Sequence, residues 1–198
     1  MTRIKLCGLR REEDVILANS VMPDYIGYVF AKASHRYIAP EKAIGLTSLL
    51  NSSITPVGVF VDEPLESVVS ICETGAVRLV QLHGNESESY ISELKARGIS
   101  VMKAFKVKTR DDIISAERCC ADCILLDSGS GSGKTFDWSL IKGIKRDFFL
   151  AGGLTAENVS DAVRALRPFA VDASSCLEKN GFKDRKLTEA FVQAVRTA

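Results

Sequence analysis

The chain has 198 residues, enough to bury a sizeable core in one domain and short for two. Charged residues make up 26% and the formal net charge is +1, so no electrostatic excess points to nucleic acid or an anionic membrane as a partner. No apolar run approaches the roughly 20 residues of a membrane span.

Met1-Thr2-Arg3-Ile4-Lys5 leads straight into a first strand at Arg3–Cys7, with no signal-peptide core ahead of it. Further short, apolar, β-branched runs predict strands at Tyr25–Phe30, Pro56–Val61, Arg78–His83, Val101–Val107, Cys123–Asp127, Phe148–Ala151 and Phe169–Ala173. Ile124-Leu125-Leu126 and Phe148-Phe149-Leu150 are wholly apolar, as parallel strands buried on both faces require. A helical stretch is expected after each strand. Pro40 opens the second helix, with Ile44, Leu46, Leu49 and Leu50 as its apolar positions, and Pro64 opens the third, which stops at Gly75. The fourth runs from about Ser87 to Gly98, the seventh starts at Thr155, and the last covers Lys186 to Arg196 with Leu187, Phe191 and Val195 on one stripe. Most strands start 21 to 25 residues apart. Eight strand–helix units in one 1–198 domain predict an α/β fold, a (β/α)8 TIM barrel. The six cysteines fall mostly inside predicted elements and do not form the spacing of a disulfide framework, which suggests a reducing cytoplasm.

This architecture puts its chemistry at the C-terminal ends of the strands. Cys7 ends the first and Asp127 the sixth. A cysteine is often only a small apolar filler, and an aspartate after a strand often only a cap. Delivered to one barrel mouth, however, a thiol is a candidate base and a carboxyl in apolar surroundings a candidate acid. Gly152-Gly153 after the seventh strand and Ser174-Ser175 after the eighth suit a phosphate site, since glycine lets backbone amides approach an anion and the last two loops commonly hold one. Otherwise they are tight-turn residues. Arg36, in the loop after the second strand, is a candidate for holding a carboxylate. His83 is either a substrate contact or a polar residue of the rim.

Two patterns mislead. Ser128–Thr135 resembles a P-loop, but the position five before Gly133 is Ser128, so the required spacing fails. Its serine–glycine run, 128–133, reads as a mobile loop of the site rather than a domain linker. Cys119, Cys120 and Cys123 suggest a metal cluster, but no fourth ligand lies nearby, and the expectation is no metal.

Several motifs in one order carry a resemblance that covers the whole chain. They are Lys5-Leu-Cys-Gly-Leu9, Gly27-Tyr-Val-Phe30 with Ser34-His-Arg36, Val57–Val61, Val80-Gln-Leu-His-Gly84, Leu125-Leu-Asp127 followed by Phe136-Asp-Trp138, Leu150-Ala-Gly-Gly-Leu154, and Val171-Asp-Ala-Ser-Ser175 with Gly181-Phe-Lys-Asp184. Together they resemble the phosphoribosylanthranilate isomerase family of tryptophan biosynthesis. The resemblance implies a cofactor-free Amadori rearrangement of N-(5-phosphoribosyl)anthranilate to a 1-deoxyribulose phosphate. It implies Asp127 as the acid that protonates the ribose ring oxygen and Cys7 as the base that takes the proton from the adjacent sugar carbon. It implies Arg36 on the anthranilate carboxylate, Asp172 on another polar part of the substrate, and Gly152, Gly153, Ser174 and Ser175 around the phosphate. His35 stands where the family usually has proline, which makes the Arg36 loop less rigid. Cys176 stands where it usually has glycine, which strains the chain if that position needs a positive φ.

The implied partner is a small phosphorylated sugar–anthranilate, with no nucleic acid and no membrane, bound by a monomer or a homodimer. Two alternatives stand beside it. One is the related phosphosugar isomerase of histidine biosynthesis, which pairs two aspartates in two-fold repeated halves; here Cys7 replaces one aspartate. The other is a barrel that binds a phosphate ligand without turnover.

Overall fold

The computed structural model describes residues 1–127, 138–141 and 143–198. Eight parallel strands close into a barrel in sequence order: β1 (Arg3–Cys7), β2 (Tyr25–Val29), β3 (Thr55–Phe60), β4 (Leu79–Leu82), β5 (Val101–Lys106), β6 (Cys123–Asp127), β7 (Phe148–Ala151) and β8 (Ala170–Ala173). Each pairs with its neighbour, and β8 returns to β1 with Lys5 opposite Asp172 and Leu6 opposite Ala173. The predicted strands match to within a residue or so at each end.

The described residues contain seven α-helices rather than eight: α1 (Glu12–Val21), α2 (Pro40–Ser48), α3 (Leu65–Glu73), α4 (Glu88–Ala96), α5 (Arg110–Arg118), α6 (Val159–Leu166) and α7 (Arg185–Arg196). Between β6 and β7 they hold only a 3-10 turn, Trp138–Ile141. The serine–glycine run, the P-loop look-alike and Phe136-Asp137 lie outside the described residues. Local chemistry sets the helix starts. The Ser87 hydroxyl accepts from the Tyr90 amide at 3.2 Å, and the Asp184 carboxylate from the Leu187 amide at 3.0 Å. Regular helix α6 starts four residues later than expected, because the Asn158 side chain accepts from the Thr155 amide and donates to the Gly153 carbonyl, holding 155–158 as a turn. Two apolar stripes are also narrower than their periodicity suggested. α2 buries Ala43 and Leu46 while Ile44 and Leu49 are exposed, and α7 buries Thr188, Phe191, Val192 and Val195 while Leu187 is exposed. After β8, a 3-10 turn (Ser175–Leu177) leads to a two-stranded antiparallel ribbon, β9 (Glu178–Lys179) and β10 (Phe182–Lys183), that the sequence did not suggest.

Alternation along each strand divides its residues between two environments. One face packs Ile4, Leu6, Ile26, Val80, Leu82, Ile124, Leu126, Leu150 and Val171 against the helices. The other fills the lower barrel with Val57, Leu79, Met102, Ala104, Leu125, Phe149 and Ala170, closed by Tyr25 and Phe169 against the Phe149 ring. Above this apolar plug the inward positions turn polar: Lys5 and Cys7 on β1, Gln81 on β4, Lys106 on β5, Asp127 on β6 and Asp172 on β8. No helix among the described residues is long and apolar enough to cross a membrane.

Candidate active site

The polar layer opens into a cavity of about 430 Å³ at the C-terminal ends of the strands. Cys7, Arg36, His83, Asp127, Gly152, Gly153, Asp172, Ser174 and Ser175 all line it, joined by Gln81, Lys106 and Cys176. The structure therefore brings together every predicted site residue. Val29, Val59, Val61 and Leu154 supply its apolar walls.

Cys7 is buried, and its sulfur lies against β2 at Gly27. A Cβ on Gly27 would stand 2.6 Å from Cys7 Sγ and 3.2 Å from its Cα, so only glycine leaves room for the thiol there. Burial, with a smaller push from Asp172, holds the Cys7 thiol above its ordinary pKa, against the downward pull of Lys5 and Lys183. Lys5 is fully buried two residues earlier on the same face, with its Nζ 2.8 Å from Asp172 Oδ2. Burial works to strip its proton, yet Asp172 and Cys7 hold its pKa above the ordinary value. The other oxygen of the Asp172 carboxylate, Oδ1, is buried without a hydrogen-bond partner among the described residues.

Across the mouth, His83 Nε2 lies 3.4 Å from Asp127 Oδ2, and His83 Nδ1 lies 3.1 Å from Gln81 Nε2. An amide nitrogen can only donate, so Nδ1 accepts and the Nε2 hydrogen faces the carboxylate. Gln81 Oε1 is a second buried acceptor without a partner among the described residues.

Arg36 is not a free arm. Its Nε and Nη2 donate to the two oxygens of Glu178 at 2.7 and 2.8 Å, and Lys183 Nζ reaches Glu178 Oε1 at 2.8 Å and the Ser174 carbonyl at 3.0 Å. Burial works to raise Glu178, but Arg36 and Lys183 hold it down at about 2. The loop that carries Arg36 is secured despite His35, because Arg10 donates to the His35 carbonyl at 2.7 Å and to the Gly181 carbonyl at 2.7 Å while stacking on Phe182.

The rim near β7 and β8 turns through Gly152 and Gly153, both with positive φ (84° and 66°), a conformation that exposes backbone to an approaching anion. Opposite them is the Ser175–Leu177 turn. The Ser174 hydroxyl does not cap that turn; it donates to the Cys7 carbonyl at 3.0 Å and ties β8 to the end of β1. Cys176 is not among the residues of positive φ, so this position does not need glycine here.

Lys5, Glu178 and Lys183 were not singled out from the sequence. For Lys5 the signal was a charge inside an apolar strand, in register with Cys7. For Lys183 and Glu178 there was only their place in or beside the terminal motifs. The three cysteines near β6 spread apart: Cys119 buried, Cys120 exposed and Cys123 half-buried in the strand. Among the described residues no group of three or more His, Cys, Asp or Glu is arranged to hold a metal ion.

A family model described as N-(5'phosphoribosyl)anthranilate (PRA) isomerase matches residues 4–194. An N-(5'-phosphoribosyl)anthranilate isomerase of Endomicrobium trichonymphae is 48% identical over 203 residues, covering all of both chains. The crystal structure of the phosphoribosyl anthranilate isomerase of Thermotoga maritima superposes with a TM-score of 0.92 at 37% identity, again over the whole of both chains. A structure of phosphoribosyl anthranilate isomerase in complex with reduced 1-(o-carboxyphenylamino)-1-deoxyribulose 5-phosphate does so with a TM-score of 0.91 at 36% identity and the same coverage.

Proposed function

Because this chain belongs to the N-(5'-phosphoribosyl)anthranilate isomerase family, we propose that its cavity catalyses the Amadori rearrangement of N-(5'-phosphoribosyl)anthranilate to 1-(2-carboxyphenylamino)-1-deoxyribulose 5-phosphate, in tryptophan biosynthesis. The observation that carries this reading is that Cys7 and Asp127, 120 positions apart in the sequence, line one cavity from β1 and β6 beside an anion-binding rim.

Asp127 protonates the ribose ring oxygen, and the ring opens to a Schiff base. The carboxylate left behind is met by the Nε2 hydrogen of His83, which stabilises the charge as it forms. Cys7, as thiolate, takes the proton from the adjacent sugar carbon. The resulting enolamine tautomerises to the ketone, so no atom is gained or lost. The phosphate sits between Gly152-Gly153 and Ser174-Ser175, whose backbone amides supply the donors while the Ser174 hydroxyl stays on the Cys7 carbonyl. Arg36 meets the anthranilate carboxylate with the donors that Glu178 leaves open. Asp172 Oδ1 and Gln81 Oε1, both buried acceptors, take hydrogen bonds from sugar hydroxyls or the anthranilate N–H, which removes the cost of leaving them unpaired. Every proposed group comes from one chain, so a monomer and a homodimer are equally competent.

Assay of the purified chain and its variants tests this. Cys7→Ser and Asp127→Asn are each expected to lose most of kcat with substrate affinity changed by less than about tenfold. Near-normal turnover in either variant would remove that residue from its role. Turnover of the histidine-pathway aminoaldose alone would overturn the whole assignment.

A further inference from the structure

We infer that Lys5, held by Asp172, is the residue that keeps Cys7 available as a thiolate: a buried ammonium that balances the negative sulfur from behind. The inference rests on the reading of Cys7 as the base and assigns that base its counter-ion.

A fully buried lysine is costly, and a methionine of similar size would pack in the barrel without that cost. Lys5 lies two residues before Cys7, on the same inward face of β1. Its Nζ donates to Asp172 Oδ2, which the register places directly opposite. An ammonium has three hydrogens, so two remain, and Lys5 acts on the Cys7 thiolate both as a charge and as a hydrogen-bond donor.

The charges around the sulfur make the same point. Lys5 faces it from β1 and Asp172 from β8. Lys183 approaches from β10 and Arg36 from the loop after β2, both bound to Glu178 of β9. Asp127 and His83 act on the Asp172 carboxylate from the end of β6 and from just beyond β4. On the Cys7 side of the cavity, three cations meet two carboxylates. One positive charge is left over, and a thiolate at Cys7 neutralises it. Without Lys5, two cations and two carboxylates already balance, and burial favours the neutral thiol.

Lys5 acts through Cys7, so it is a positioning residue. The test is the pH dependence of iodoacetamide alkylation, mapped by mass spectrometry to the Cys7 peptide of the full chain, alongside the pH profile of kcat. Lys5→Gln is expected to move the Cys7 alkylation midpoint up by about one pH unit, or slow alkylation about tenfold at fixed neutral pH. Asp172→Asn frees Lys5 for the sulfur and is expected to move the midpoint down. Lys5→Arg, which keeps the charge, is expected to restore much of the shift. The low-pH limb of the kcat profile follows each midpoint. Midpoints that stay put in both Lys5→Gln and Asp172→Asn, or that move in the same direction, overturn the inference. Should Lys5→Gln fail to fold, Lys5→Met takes its place: an upward midpoint supports the inference and an unmoved one overturns it. Loss of the base reading shows differently: Cys7→Ser would keep its turnover while the alkylation midpoints of the other variants still shift.

Discussion

Glu178 joins the two cations of the rim, and replacing it by glutamine isolates what that charge contributes. Its carboxylate accepts both Arg36 bonds and one from Lys183, with only 9% of the side chain exposed. Against burial, these partners lower its pKa from an ordinary 4.5 to about 2. A folded value below the unfolded one means that folding favours the ionised form, so the stabilisation is complete above the unfolded value and drains away as the pH falls toward 2. The drop corresponds to about 3 kcal/mol, less after allowance for solvent around the Arg36 guanidinium, and about 1 kcal/mol of it is lost by about pH 3.5. Glu178→Gln is therefore expected to cost about 2–3 kcal/mol near pH 7 and about 1 kcal/mol less than that near pH 3.5. Urea unfolding of the two proteins at both pH values, followed by circular dichroism, measures the gap. A gap of the same size at both pH values would refute the charge argument and reduce Glu178 to a packing residue.

Two further expectations follow from close contacts. Gly27→Ala sets a methyl 2.6 Å from Cys7 Sγ and should lower kcat by about tenfold to a hundredfold by displacing the thiol, with circular dichroism unchanged; a kcat within twofold of the parent would show that the sulfur has other room. Arg36→Ala should raise KM by about tenfold or more with a smaller effect on kcat, because a charge-assisted bond to the substrate is lost, and an unchanged KM would place the anthranilate carboxylate elsewhere.

The barrel was legible because parallel strands covered on both faces read as short apolar runs, and Ile124-Leu125-Leu126 can be little else. The mouth was legible because the last inward residue of each such run has one place to go: Cys7, His83 and Asp127 follow from strand ends alone. What stayed hidden depends on pairings across the closure. Nothing local to Lys5 says that Asp172 lies opposite it, and nothing near Arg36 announces Glu178, because those contacts are created by β1 meeting β8 and by the ribbon folding back over the rim. The outer helices misled for the opposite reason. Ile44 and Leu187 satisfy a helical period, but a helix lying on a curved sheet covers only a narrow strip, and they fall outside it.

The seam between the first and last strands has a bearing on how the chain is made. Lys5 and Cys7 leave the ribosome well before Asp172, Ser174, Glu178 and Lys183. Until then a barrel one strand short would have to enclose an ammonium with no counter-charge, a penalty that discourages a premature dry interior. Turnover in this fold thus arrives together with completion, and a truncated translation product ends with an open groove instead of a partly working enzyme.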